Sequence, residues 1–322
     1  MRNIAVVGCG YWGKNLVRNF YELGVLAAIC DPIDTIAKKF SEQYNVPSKS
    51  WEELLNDEAI HGVVLAVPAV LHTKLCCEAI KAKKDVYVEK PLSLTEKEGF
   101  QIKDALENSS QILLVGHLLQ YHPAVVKIKE LLKSDVLGNL KYIRSHRFNM
   151  GKIRHEENVL WSFAPHDFSV VHSIANSPIK TIQSHGQYLF NDDIADRVDV
   201  TIEFESGIHA EVCVSWVHPF KEQKLVIGGT KGMLVFDDTL PLEQKLKFYK
   251  HNYSRNGKTI VTEKIEPELI SLDPVEPLKA ECQHFVDCIQ NRQQPYTNID
   301  EGIAVVHMLQ LAQEKLNKQK IL

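Results

Sequence analysis

Apolar and polar positions in the first third of the chain form short apolar runs separated by amphipathic stretches. Asn3 to Val7, Val25 to Cys30, Gly62 to Val67, the stretch around Val86 and Val88, and Gln111 to Val115 read as strands, apolar as strands covered on both faces are. Gly62 to Val67 counts as a fourth parallel strand and the Val86 stretch as a fifth. Helical patterns lie between them. One runs through Leu23, and one opens at the capping box Ser50-Trp51-Glu52-Glu53. Another spans about Leu71 to Ala82, and a last one opens at Thr95-Glu96-Lys97-Glu98 and reaches about Asn108. Such β-α alternation predicts a right-handed, doubly wound parallel sheet.

Past Tyr121-His122-Pro123, which opens a helix to about Ser134, the pattern changes to period two. Val198, Val200, Ile202 and Phe204 interleave with polar residues, Ser206-Gly207 turns, and Ile208, Ala210, Val212, Val214 and Trp216 alternate again. That is a hairpin with one buried face. Leu140–Phe148, Ile179–Leu189, Lys224–Ile227, Met233–Phe236 and Leu246–Tyr249 add strands, so this half is α+β with a large open, mostly antiparallel sheet, covered by helices on one side and by another subunit on the other. His251 to Lys258 reads as a hairpin or exposed loop and Glu266 to Pro277 as a connector. Helices over Leu278–Asn291 and Asp300–Asn317 close the chain. The domains are expected at 1–119 and 120–322.

Two local patterns carry chemistry. Gly8-Cys9-Gly10-Tyr11-Trp12-Gly13 sits between a strand and a helix, the context that gives G-x-G-x-x-G its meaning in a Rossmann-like half. The first glycine permits the turn, the second lets a pyrophosphate approach, and the third lets helix pack on strand. The helix N-terminus then offers N–H groups and positive dipole to phosphates. Asp31 ends the next strand, near the roughly 20-residue offset at which a carboxylate reaches the adenosine ribose and repels a 2'-phosphate; the cofactor is expected to be NAD. The second pattern is Asp85-Val86-Tyr87-Val88-Glu89-Lys90-Pro91. Proline stops the strand, which leaves Glu89 and Lys90 at the carboxyl edge of the sheet, where such folds bind ligands.

Composition narrows the classes. The 322 residues suffice for two cores. A net charge of -4, from 37 basic and 41 acidic side chains, gives no footprint for nucleic acid or an anionic membrane. Seven cysteines form no C-x-x-C pair and read as small core residues in a reducing compartment, with no metal site. The N-terminal apolar run is too short for a signal peptide, and no run reaches membrane-spanning length, so the expected location is the cytoplasm.

In the second half, Ser162-Phe163-Ala164-Pro165-His166-Asp167 looks like a helix start, with proline tolerated in the first turn. His166 would then lie in that first turn, where the positive helix end disfavours imidazolium and keeps the ring able to accept a proton. Alcohol oxidation needs such a base. His155, His172, His185 and His209 carry no such context. Arg147, Lys152, Arg154 and Asn158 offer charge and hydrogen bonds for a diphosphate or uronate, although a basic loop is often simply solvated.

Gly8-x-Gly10-x-x-Gly13, Ala66-Val67-Pro68 followed by His72, and Glu89-Lys90-Pro91 resemble the glucose-fructose oxidoreductase / inositol dehydrogenase / rhizopine catabolism family over essentially the whole chain. The resemblance implies that Glu89 contacts the nicotinamide ribose, that Lys90 sits beside the nicotinamide and the reacting hydroxyl, and that the Lys90-Pro91 peptide is cis. It also implies cofactor contacts at the glycine loop with Tyr11 and Trp12, and at Ala66, Pro68 and His72. Many members carry Asp-x-x-x-His, the histidine acting with the lysine on the sugar hydroxyl. Here His166 matches the histidine, and Ser162 stands where the aspartate would be. Gly10 to Leu16, Gly116-His117 through Tyr121-His122-Pro123, and Glu157 to Ser162 look like the sugar-nucleotide 3-dehydrogenase subgroup, which acts on UDP-N-acetylglucosamine or its uronic acid. On that reading Tyr121 and Ser162 join the substrate contacts, 2-oxoglutarate is a possible hydride acceptor, and the protein is a homo-oligomer. A polyol or free-sugar dehydrogenase would use the same machinery. A cofactor-binding regulator is a third reading, against which Lys90 and His166 argue.

Overall fold

The computed structural model describes residues 3–107, 109–256, 258–262 and 266–319. The chain divides into two compact units, Met1–Tyr121 with Glu276–His307, and His122–Val275 with Met308–Leu322. The division differs from a single cut near residue 119, because Glu276–His307 returns to the first unit while Met308–Leu322 stays with the second.

The first unit begins β1 (Ile4–Val7), α1 (Gly13–Glu22), β2 (Leu26–Cys30), α2 (Asp34–Tyr44), α3 (Trp51–Asn56), β3 (Gly62–Leu65), α4 (His72–Lys81), β4 (Asp85–Glu89), α5 (Glu96–Glu107) and β5 (Leu113–Gly116). Its five strands are parallel in the order β2-β1-β3-β4-β5. The Gly62 strand is therefore the third and the Asp85 strand the fourth. Between β2 and β3 the chain forms α2 and α3 and adds only a bridge of Ser48 to Ile29. Both capping boxes form: the Ser50 and Glu53 side chains satisfy each other's backbone N–H groups, and so do Thr95 and Glu98. Asn108, the expected end of α5, lies outside the described residues. Alternation sends Val6, Val64, Tyr87 and Leu114 to one face of the sheet and Val7, Val63, Val86, Val88 and Val115 to the other, each packed in its own core.

The second unit contains α6 (Pro123–Lys133), β6 (Leu140–Met150), α7 (Val159–Ala175), β7 (Ile179–Gln187), β8 (Arg197–Phe204), β9 (His209–Ser215), β10 (Val217–Gly229), β11 (Gly232–Asp237), β12 (Leu246–Lys250), β13 (Tyr253–Asn256), β14 (Thr259–Thr262) and β15 (Glu268–Leu269). Eight strands form one sheet, ordered β15-β12-β11-β10-β6-β9-β8-β7. Every pair is antiparallel except β6 with β9. The hairpin read at Ser206-Gly207 joins β8 to β9, with Gly207 at φ +78° where a side chain would be strained. Helix α7 covers one face, against β6, β8 and β9. The opposite face presents Tyr142, Arg144, Thr201, Glu203 and Glu211 around an open depression of about 500 Å³. Hairpin β13–β14 occupies the polar stretch from His251, whose Gly257 lies outside the described residues.

Helix α8 (Pro277–Asn291) then rejoins the first unit, where Phe285 meets Phe20 and Tyr87 edge to face. Helix α9 (Ile299–Gln319) begins in the first unit and ends in the second. All seven cysteines are free thiols, six of them buried. Among the described residues no helix is long and apolar enough to cross a membrane.

Candidate active site

In the first unit the strand order reverses between β1 and its neighbours β2 and β3, the position at which open α/β sheets leave a crevice at their carboxyl ends. The glycine loop follows β1 there. A Cβ on Gly8 would come 2.5 Å from the Ala66 carbonyl oxygen, and one on Gly13 would come 1.9 Å from the Gly8 carbonyl oxygen. Packing alone therefore demands those two glycines. A Cβ on Gly10 would meet nothing within 4 Å, so the protein's own packing makes no demand there, as expected of a glycine serving an approaching phosphate. Helix α1 starts with no side-chain cap and no acid in its first turn, which leaves its positive end to an anion. Tyr11 and Trp12 project from the loop, Tyr11 almost fully exposed.

Asp31 accepts the Cys9 N–H at 2.7 Å and the Ile33 N–H at 2.9 Å, one on each carboxylate oxygen. The loop and the acid are thus one unit, and the carboxylate keeps acceptor capacity for sugar hydroxyls. Burial beside Asp31 pushes the Cys9 thiol up to about 12, so this cysteine is an inert packing group.

At the end of β4, Glu89 is 8% exposed. Its Oε1 accepts the Trp12 indole N–H at 2.5 Å and faces the Tyr87 hydroxyl at 3.4 Å, and its Oε2 accepts the Lys90 N–H at 3.3 Å. Burial raises its carboxyl, and Trp12 and the Lys90 charge oppose that rise. Lys90 is half-buried, and the Lys90-Pro91 peptide is cis, as the resemblance implies. His72 is 1% exposed, and its ring nitrogens lie 2.8 Å from the Pro91 carbonyl and 3.0 Å from the Val67 carbonyl. It ties the Ala66-Val67-Pro68 turn to the Lys90-Pro91 turn, a role its sequence position does not reveal. Burial lowers its basicity, against the pull of those carbonyls. Tyr121 is buried too, its hydroxyl on Thr297 at 3.0 Å.

In the second unit α7 begins earlier than the proline suggests. Asn158 is its N-cap, accepting the Trp161 N–H at 3.3 Å, and Pro165 lies inside the helix. His166 therefore sits in the body of α7, not in its first turn. The positive helix end therefore does not act on its ring, since that field fades beyond the first turn. His166 is half-buried, and buried Ser162 stands four positions earlier on the same face. Asp167 lies beyond the first turn as well. It takes Arg147 Nε at 2.6 Å and the Ser145 hydroxyl at 2.7 Å, a buried ion pair between β6 and α7. Asn158 also donates to Gln313 at 2.8 Å, Arg154 pairs with Glu157 at 2.6 Å, and Lys152 is exposed. Arg147 and Asn158 thus hold α7 in place, and Lys152 and Arg154 belong to the loop before it.

Two pairs escaped the sequence reading. Tyr87 Oη lies 2.8 Å from Oε2 of Glu281 on α8, and His117 Nδ1 lies 2.6 Å from Oε2 of Glu301 on α9. Glu281 carries a legible signal, since it shares the helical face of Leu278, Cys282 and Phe285. On the open sheet face His146, Glu211 and Cys213 place ligand atoms within 4.8 Å of one another. However, Arg144 Nε lies 2.9 Å from His146 Nε2, a cation where a metal would sit.

The first unit thus has the form of a nicotinamide-dinucleotide site, and the protein is an NAD-binding oxidoreductase. The description "Oxidoreductase family, NAD-binding Rossmann fold" matches residues 2–117, and the Gfo/Idh/MocA C-terminal domain matches 125–235. The chain belongs to the Gfo/Idh/MocA oxidoreductase family. It is 26% identical to scyllo-inositol 2-dehydrogenase (NAD(+)) of Bacillus subtilis, over 93% of this chain and 90% of that one. Its fold matches UDP-N-acetylglucosamine 3-dehydrogenase from Acidithiobacillus ferrooxidans at a TM-score of 0.86 and 18% identity, over 98% of both chains. It also matches levoglucosan dehydrogenase, solved with NADH and levoglucosan, at a TM-score of 0.84 and 18% identity, over 98% of this chain and 97% of that one.

Proposed function

We propose that this protein oxidises the 3-hydroxyl of a UDP-N-acetylhexosamine, UDP-N-acetylglucosamine or its uronic acid, to a 3-keto sugar nucleotide that feeds amino-sugar and surface-polysaccharide synthesis. The observation that carries the dehydrogenase chemistry is the end of β4, where buried Glu89 is fixed by the glycine-loop residue Trp12 and directly precedes Lys90. The choice of sugar nucleotide rests on the Gly10–Leu16, Gly116–Pro123 and Glu157–Ser162 motifs. NAD, when bound, supplies the hydride acceptor. Lys90 and His166 manage the hydroxyl proton, Lys90 as the cation that steadies the developing alkoxide and His166 as the base. Ser162 lacks the charge of the aspartate many relatives carry, so His166 works without a carboxylate behind it at that position. A homo-oligomer formed through the open face of the second sheet completes the proposal.

A second reading, oxidation of an inositol or free sugar, is favoured by the scyllo-inositol dehydrogenase relative. Incubation with NAD, a panel of UDP-sugars and inositols, and 2-oxoglutarate present or absent, followed by mass spectrometry, separates the two. The proposal expects a UDP-sugar product lighter by two hydrogens, with 2-hydroxyglutarate formed if the cofactor is recycled in place. Turnover of inositols alone would replace it with the second reading.

A further inference from the structure

The dehydrogenase reading leaves one buried acid without a task. Helix α8 lays Leu278, Cys282 and Phe285 into the core that contains Tyr87, and Glu281 points into the same core at 0% exposure. Its Oε2 lies 2.8 Å from Tyr87 Oη, and that oxygen lies 3.4 Å from Oε1 of Glu89. Oε1 of Glu281 has no hydrogen-bond partner among the described residues. Gly116, opposite Glu89 on β5, leaves space for the group. A Cβ there would stand 3.0 Å from Tyr87 Oη and 3.2 Å from Glu89 Cδ.

Two carboxyls joined through one phenol in an apolar core do not both ionise. Glu89 has the Trp12 indole, the Lys90 N–H and the Lys90 charge to favour its anion. Burial pushes the Glu281 carboxyl well above the usual range, the charges of Glu89 and Glu301 raise it further, and the Tyr87 hydroxyl opposes that rise. The balance of burial and neighbours favours the proton on Glu281 over Glu89. A protonated carboxyl can donate to Tyr87 Oη, which turns the phenol's own proton toward Glu89; a carboxylate could only take that proton away.

We propose that Tyr87 and Glu281 are positioning residues: Glu281 donates to Tyr87, Tyr87 donates to Glu89, and Glu89 is thereby held in the orientation that meets the nicotinamide ribose. The inference rests on the reading that Glu89 contacts the cofactor.

The test uses the full chain with Glu281→Leu, Glu281→Gln, Tyr87→Phe and, as reference, Glu89→Ala, measuring NADH affinity by fluorescence titration and the melting midpoint. Glu281→Leu and Tyr87→Phe should weaken NADH binding by roughly three- to tenfold, the worth of one hydrogen bond. Glu281→Leu should melt no lower than wild type, because a leucine suits this core better than a partly unsatisfied acid. Glu281→Gln should restore near-normal affinity, since an amide also donates to the phenol oxygen. Wild-type affinity in Tyr87→Phe or Glu281→Leu, with or without a lowered melting point, overturns the proposal, and so does a Glu281→Gln protein as weak as Glu281→Leu. If Glu281→Leu does not fold, Tyr87→Phe and Glu281→Gln decide by the same criteria. Unchanged affinity in Glu89→Ala would remove the cofactor reading of Glu89 itself and the inference with it, an outcome distinct from failure of the Tyr87 and Glu281 variants alone.

Discussion

Lys90 and His166 answer to different neighbours, and their substitution should be felt in turnover more than in stability. Lys90 follows a buried, anchored Glu89, whereas His166 sits half-buried in the body of α7. Replacing either by alanine should lower kcat by roughly a hundredfold or more, the usual worth of a positioned proton-transfer group; near-normal rates in both variants would contradict their roles. In the proposed site Asp31 is the residue that would set the choice of cofactor. Its charge is held by two loop N–H groups, so Asp31→Ser should narrow the preference for NAD over NADP by roughly tenfold or more, as removal of a like-charge clash does. Ratios of kcat/KM for the two cofactors measure it, and an unchanged ratio would argue that Asp31 is only a brace for the loop. The glycine loop between strand and helix, the acid at a strand end and the charged pair before a proline were legible in the sequence because each is a local pattern, whereas the place of His166 in its helix was not. The Pro91 partner of His72 and the partners of Asp167 and Tyr87 on other elements were not either, since each is brought from a separate part of the chain.

Helix α7 shows why an element boundary is harder to read than an element. Proline is favoured in a first turn, which drew the expected start to Ser162. The helix begins instead at the Asn158 cap and tolerates Pro165 inside, where the lost backbone bond is outweighed by a nearly continuous buried run from Val159 to Ala175. The Arg147–Asp167 pair then locks α7 to β6. Asp167→Ala should cost about 3 kcal/mol in urea unfolding, because it strips a largely buried guanidinium of its carboxylate, whereas Arg147→Met with Asp167→Leu should cost much less. Equal losses in both proteins would mean that the pair's own attraction, not the stranded charge, dominates. The β8–β9 hairpin, by contrast, was readable residue by residue, because alternation and a glycine turn are local signals. The first half of β10 was missed because Val217–Gln223 lacks that alternation.

Two facts at the level of the whole chain lie beyond local patterning. The return of α8 to the first unit sets Phe285 and Glu281 against Tyr87, so the first unit's core is closed by a segment more than 150 residues away in sequence. The fold class was legible from β-α alternation followed by period two, but not which unit keeps the last helices. The uncovered face of the second sheet leads to an expected homo-oligomer. Light scattering at micromolar concentration should give a mass of at least two chains, and a monomer would refute it. The proposed hydride removal from C3 of a UDP-N-acetylhexosamine is tested most directly with UDP-N-acetylglucosamine, or its uronic acid, deuterated at C3. One deuterium should appear in the reduced nicotinamide, or in 2-hydroxyglutarate when 2-oxoglutarate is present, together with a 3-keto product. Oxidation with the C3 deuterium retained in the sugar, or no oxidation of either UDP-sugar while an inositol is turned over, would contradict it.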